Sequence, residues 1–156
     1  QKEMRIESAD TYLSLEEKLI ALGIPLLIET IPKWLRGELT PQEQNESEAV
    51  YSHLVKTEDG HIDWSSPGEE ILRKIRALNP EPGTFTFWNN KRLLIPEAKI
   101  EIIKHNFKSG EVVKGFKIAA GDGFVIPQKI KLEGKKETTP KSFINGHPEI
   151  IGAVLS

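Results

Sequence analysis

At 156 residues, 38% hydrophobic, the chain suits one ordinary domain plus an appendage. Its lack of cysteine excludes disulfides and thiolate chemistry and fits a reducing, cytoplasmic setting. No apolar run approaches the ~18 residues needed to cross a bilayer and no signal pattern opens the chain, so no membrane partner is expected. The net charge of −2 hides an asymmetry: residues 1–60 hold six basic against twelve acidic side chains, residues 61–156 fifteen against eleven. A basic second half suits an anionic partner such as nucleic acid, or ordinary surface solubility. Residue 1 is Gln rather than Met, which reads as a piece of something longer.

Residues 13–36 carry helical periodicity. Ser14 and Glu17 stand in capping-box spacing, Leu15, Leu19 and Leu22 recur on one face, and Gly23 should stop the run. Pro25 can open a second helix with Leu27, Ile28, Ile31 and Leu35, kinked or broken at Pro32. Residues 38–60 look like a tether: Glu38 to Glu48 is polar and holds almost nothing to bury. A further helix is expected from Ser66, with Pro67 at its first position and Glu69 completing a second capping box. Ile71, Leu72, Ile75 and Leu78 fill one arc of it, with Arg73 and Arg76 opposite, until Asn79-Pro80-Glu81-Pro82-Gly83 stops it.

The texture then turns to strands. Thr84–Trp88 runs through an Asn89-Asn90 hairpin into Lys91–Ile95. Ala98–His105, Glu111–Ala119 and Phe124–Leu132 follow, the last two joined by Gly121-Asp122-Gly123. Thr139 caps a short helix from Pro140 to Gly146. Short strands with turns between them predict a mainly β fold with flanking helices: a small open Greek-key barrel preceded by a helical segment.

Catalytic patterns are missing. The four histidines form no metal-binding spacing, and His61 with Asp63 supplies two ligands where a site needs more. Gly121 and Gly123 would need a third glycine where Ile126 stands, so Gly-Asp-Gly reads as a tight turn. No serine sits in a nucleophile elbow. Trp64, Phe85, Phe87, Trp88, Phe116, Phe124 and Phe143 read better as core fillers than as base-stacking surfaces.

Three blocks resemble the carboxy-terminal part of the methionyl-tRNA formyltransferase family. They are Ile62-Asp63-Trp64-Ser65-Ser66-Pro67, then Ile75-Arg76-Ala77-Leu78-Asn79-Pro80-Glu81-Pro82-Gly83, then Gly121-Asp122-Gly123 with Gly134-Lys135-Lys136 and Ser142-Phe143-Ile144-Asn145-Gly146. Asp10-Thr11, Ser14-Leu15, Lys18-Leu19 and Leu22-Gly23 resemble the last helical region of that family's catalytic domain. Two positions differ: Glu81 stands where the family often has Trp, and Lys131 where Gln is common. The resemblance implies a division into residues 1–37 (remnant of the catalytic Rossmann-like domain), 38–60 (linker) and 61–156 (OB-like barrel). It implies a parent enzyme that moves a formyl group from 10-formyltetrahydrofolate to the methionine of initiator tRNA. The catalytic residues precede the matched region, so this stretch is expected to be inactive alone, without a cofactor, and monomeric. Its partners would be initiator methionyl-tRNA and the catalytic domain.

The same barrel serves formyltetrahydrofolate dehydrogenases and sugar formyltransferases, so a docking module without nucleic-acid binding is the alternative. Under the tRNA reading, the candidate phosphate contacts are Lys135 and Lys136 after a glycine, Lys129 and Lys131 on one strand face, Lys91 and Arg92 after the Asn-Asn turn, and Arg73 and Arg76 on the helix. Arg76 has a second reading as a structural donor to nearby carbonyls.

Overall fold

A computed structural model describes all 156 residues. The chain divides into two compact units, residues 1–54 and 55–156.

The first unit is one long helix, α1 (Tyr12–Leu35), with polar chain after it. Its cap lies a turn earlier than Ser14–Glu17: the Thr11 hydroxyl accepts from Ser14 N at 3.2 Å, and Ser14 Oγ accepts from Thr11 N at 2.9 Å. Gly23, Pro25 and Pro32 lie inside α1, where the sequence suggested a stop and a fresh start. A glycine inside a helix costs only about 1 kcal/mol. Each proline removes one donor, and the carbonyls so released belong to Ala21 and Ile28, both exposed and spared desolvation. No residue of α1 is buried, and Ile24, Leu27, Ile28 and Trp34 are more than half exposed. Residues 38–54 hold a single 3-10 turn, Glu46–Glu48, whose Asn45 side chain accepts from Ser47 N.

The second unit is the expected mainly β fold with flanking helices. A 3-10 turn (Thr57–Gly60) leads to α2 (Gly68–Leu78), β1 (Phe85–Trp88), β2 (Lys91–Ile102), β3 (Val112–Val113), β4 (Lys117–Ala119), β5 (Gly123–Leu132) and α3 (Pro140–Gly146). All pairings are antiparallel, in the order β1-β2-β5-β4-β3, so β5 returns to lie beside β2. Residues 152–156 join the two outer edges of the sheet. On one side Phe87 N donates to Ser156 O (2.7 Å); on the other, Val112 N donates to Ala153 O (2.9 Å) and Leu155 N to Gly110 O (2.9 Å). Ile71 and Ile75 of α2 pack with Trp64, Leu93, Val125 and Ile130 in the enclosed core, and Phe143 of α3 joins them.

Three local expectations change. Lys91–Ile95 and the expected Ala98–His105 merge into one strand, β2, which ends at Ile102 rather than His105, because the ladder absorbs Pro96 through register shifts between Leu94 and Ala98. Glu111–Ala119 splits into β3 and β4 around Gly115 and Phe116, both at positive φ, with the Phe116 ring fully buried. Helix α2 starts at Gly68 without the Ser66–Glu69 box. Instead Asp122, 54 residues away, accepts from Gly68 N at 2.7 Å.

Candidate nucleic-acid interface

The hairpin turn Asn89-Asn90 has positive φ at both positions (50° and 60°), the backbone that fits the twist of β1 and β2. It launches Lys91 and Arg92 at the start of β2. Leu93 pairs with Leu132 and Leu94 with Lys131. One step further, Glu133 N donates to Arg92 O (2.8 Å), and Arg92 N donates to the Glu133 carboxylate (3.0 Å). The start of β2 and the end of β5 therefore form one edge. Gly134, at φ 74°, then turns the chain so that Lys135 N donates to Leu132 O at 2.9 Å. Lys91, Arg92, Lys131, Lys135 and Lys136 all arise at this corner and all are exposed. None of these five joins an ion pair.

The other three candidates are placed differently. Lys129 shares the outer face of β5 with Lys131 but faces Glu97 across the ladder, with Nζ 3.3 Å from the carboxylate and both side chains about half exposed (53% and 54%). Such a surface pair contributes at most about 1 kcal/mol and yields readily to a competing phosphate. Arg73 (exposed) and Arg76 (half-buried) ride on α2. That helix is fixed at its C-terminal end: Asn79 Nδ2 donates to Ile75 O and to Thr84 Oγ1, and Thr84 Oγ1 donates to Ile95 O (2.6 Å). The alternative role for Arg76, donating to nearby carbonyls, has no counterpart among the hydrogen bonds of the fold.

The sequence missed a feature of β1. Thr84, Thr86 and Trp88 face inward, the first two fully buried, while Phe85 and Phe87 face outward opposite Leu94 and Arg92. The inward threonines are satisfied: Trp64 Nε1 donates to Thr86 Oγ1 at 3.0 Å, and Thr86 Oγ1 donates to Ser156 O at 3.1 Å. Trp64, Trp88, Phe116 and Phe143 fill the core as expected, whereas Phe85 and Phe124 are buried outside it and Phe87 is half exposed. The only sequence signal was the alternation Thr-Phe-Thr-Phe-Trp, which permits either register.

The remaining motifs are structural. Gly121 N donates to Ser66 O (3.0 Å), and a Cβ on Gly121 would lie 2.4 Å from Ser65 O, so Gly-Asp-Gly is the turn that docks β5 onto the start of α2. Asp63 accepts from the hydroxyl and backbone N–H of Ser65 and from the Ser66 hydroxyl, and these bonds, led by the Ser65 hydroxyl, hold its carboxyl below the usual aspartate range. His61 and Asp63 do not belong to any group of three or more potential metal ligands.

A small sheet closed at its seam, roofed by α2 and bearing one basic edge, defines a small β-barrel domain. Residues 54–148 match the model of the family described as formyl transferase, C-terminal domain, and the chain belongs to that family. It is 36% identical to a methionyl-tRNA formyltransferase of Lactococcus lactis subsp. cremoris (94% of this chain, 48% of the relative). It is 34% identical to one of Coxiella burnetii (91% and 46%). The chain thus spans about half the length of the curated relatives it matches. Among solved structures, a variant of HypX from Aquifex aeolicus superposes with a TM-score of 0.69 at 17% identity, over 95% of this chain and 28% of that one. HypX in complex with tetrahydrofolic acid gives 0.60 at 20% identity, over 82% and 23%. These two likenesses are of fold. No helix is long and apolar enough to cross a membrane.

Proposed function

We propose that this chain is the tRNA-gripping C-terminal part of a methionyl-tRNA formyltransferase, with residues 1–37 belonging to the catalytic domain of the parent and 61–156 to the barrel. The observation that carries the reading is the β2–β5 corner: Lys91, Arg92, Lys131, Lys135 and Lys136, exposed and outside any ion pair, in a chain akin to enzymes of that name. The grip is electrostatic. Cations that neutralise phosphates release condensed counterions, which favours binding without reading sequence. Lys129 joins once phosphate displaces Glu97, and Arg73 and Arg76 extend the basic surface along α2. The parent would move the formyl group of 10-formyltetrahydrofolate onto the methionine of initiator tRNA in the cytoplasm. The barrel contributes no reacting group; it holds the tRNA so that its acceptor end reaches the catalytic domain, and the piece alone is monomeric and inactive.

Five phosphate contacts predict that log affinity for tRNA falls against log salt with a slope of about −4. Replacing Lys135 and Lys136 together by Ala should flatten that slope by up to about two, as read by filter binding or fluorescence anisotropy across a salt series. Affinity indifferent to salt would remove the reading.

A further inference from the structure

Phe85 is 5% exposed yet stands outside the core cluster, on the outer face of the barrel. Its cover is a cation and two rings. The Arg92 guanidinium carbon lies 4.6 Å from the Phe85 ring centroid, the His61 ring lies 5.5 Å away tilted by 31°, and Phe87 stands edge-on at 5.5 Å and 84°. His61 is carried there by a parallel bridge in which Ile62 N donates to Phe85 O (2.9 Å). Lys74 Nζ anchors the same segment by donating to His61 O at 2.8 Å. His61 and Arg92 are exposed and Phe87 is half-buried, so this cluster of planar groups reaches solvent. The ladder runs on from them: Phe87 faces Arg92, Leu94 faces Lys131, and the Lys135–Lys136 turn follows. The Glu133 carboxylate is engaged by the Arg92 backbone N–H. At strand spacing the strip from His61 to Lys131 is about 14 Å wide, planar groups at one side and cations at the other.

A partner that offers only charge would leave the planar groups unused, and an apolar one would leave the lysines unused. A strand of RNA offers both, since every base has a π face that aromatic rings and guanidinium planes stack on, and every link carries a phosphate. Resting on the tRNA reading above, the geometry points to a base-stacking subsite at His61, Phe87 and Arg92. It takes an unpaired nucleobase of the bound RNA while Lys131 and the Lys135–Lys136 turn hold the neighbouring phosphates.

The test titrates the 156-residue chain with a single-stranded RNA of about twelve nucleotides, a length one such barrel can span, and with the same strand made abasic at its central positions. The unaltered chain should bind the base-bearing strand about tenfold more tightly. Arg92→Lys keeps the charge and loses the plane, so it should shrink that ratio to about threefold or less without changing the salt slope. His61→Ala, at a residue outside the phosphate grip, should shrink it likewise while leaving affinity for the abasic strand unchanged. Both replacements are at exposed positions, and an unchanged melting temperature verifies the fold. Equal affinity of the unaltered chain for both strands, or an equal loss on both with Arg92→Lys, overturns the subsite and leaves the phosphate grip standing. Failure to bind either strand or tRNA at low salt overturns both.

Discussion

Glu97 and Lys129 meet 3.3 Å apart on the outer face of the β2–β5 ladder, each about half exposed. This contact restrains one candidate cation, and Glu97→Gln releases it without removing side-chain volume. The variant should bind tRNA more tightly at low salt and steepen the salt slope by about one, while the double lysine variant moves it the other way. Asp122 is a second residue whose role follows from one bond, that from Gly68 N. Asp122→Ala should lower the barrel's unfolding free energy by about 1 kcal/mol in a urea titration and leave RNA affinity unchanged. Asp63 adds a pH dependence. Its folded pKa is lowered by the Ser65 and Ser66 hydrogen bonds, so its stabilisation is complete above the unfolded aspartate value and is lost as pH falls through the lowered folded value. Acid unfolding curves for Asp63→Asn should lack that component in the acid window and run parallel to the unaltered chain near neutral pH.

Among the elements, β5 makes a sharp steric demand. A Cβ on Gly123 would lie 2.2 Å from Glu101 O and 2.9 Å from Ile102 Cα, both backbone atoms of β2 that cannot turn aside. Gly123→Ala should therefore cost on the order of 1–3 kcal/mol, as measured by denaturation. Gly134→Ala meets no atom within 4 Å, but φ there is 74°, so only about 1 kcal/mol of backbone strain is expected, together with a displaced Lys135–Lys136 turn. Elements set by local chemistry were legible in the sequence: Thr139 does cap α3, Pro140 does open it, and Asn89-Asn90 does turn β1 into β2. Elements set by distant partners were not. The cap on α2 comes from Asp122, which Ser66 and Glu69 could not reveal, and β2 runs through Pro96 because β5 accommodates a shifted register. The lysine-rich corner was legible as a set of residues near turns. Its planar neighbours were not, because Thr84 and Thr86 are buried by virtue of hydrogen bonds to Trp64, Ile95 and Ser156 that no alternation pattern encodes.

In the molecule as a whole the two units differ in charge: residues 1–54 hold five basic against ten acidic side chains, residues 55–156 sixteen against thirteen. The barrel also depends on contacts remote in sequence: β2 with β5, Gly68 with Asp122, and Thr86 with Ser156. The seam formed by residues 152–156 has a consequence for biosynthesis. Until those residues leave the ribosome, both flanks of the nascent sheet keep bare amide and carbonyl groups that another chain can pair with. The hazard therefore peaks when the interior is largely made and that closing stave has yet to drop in.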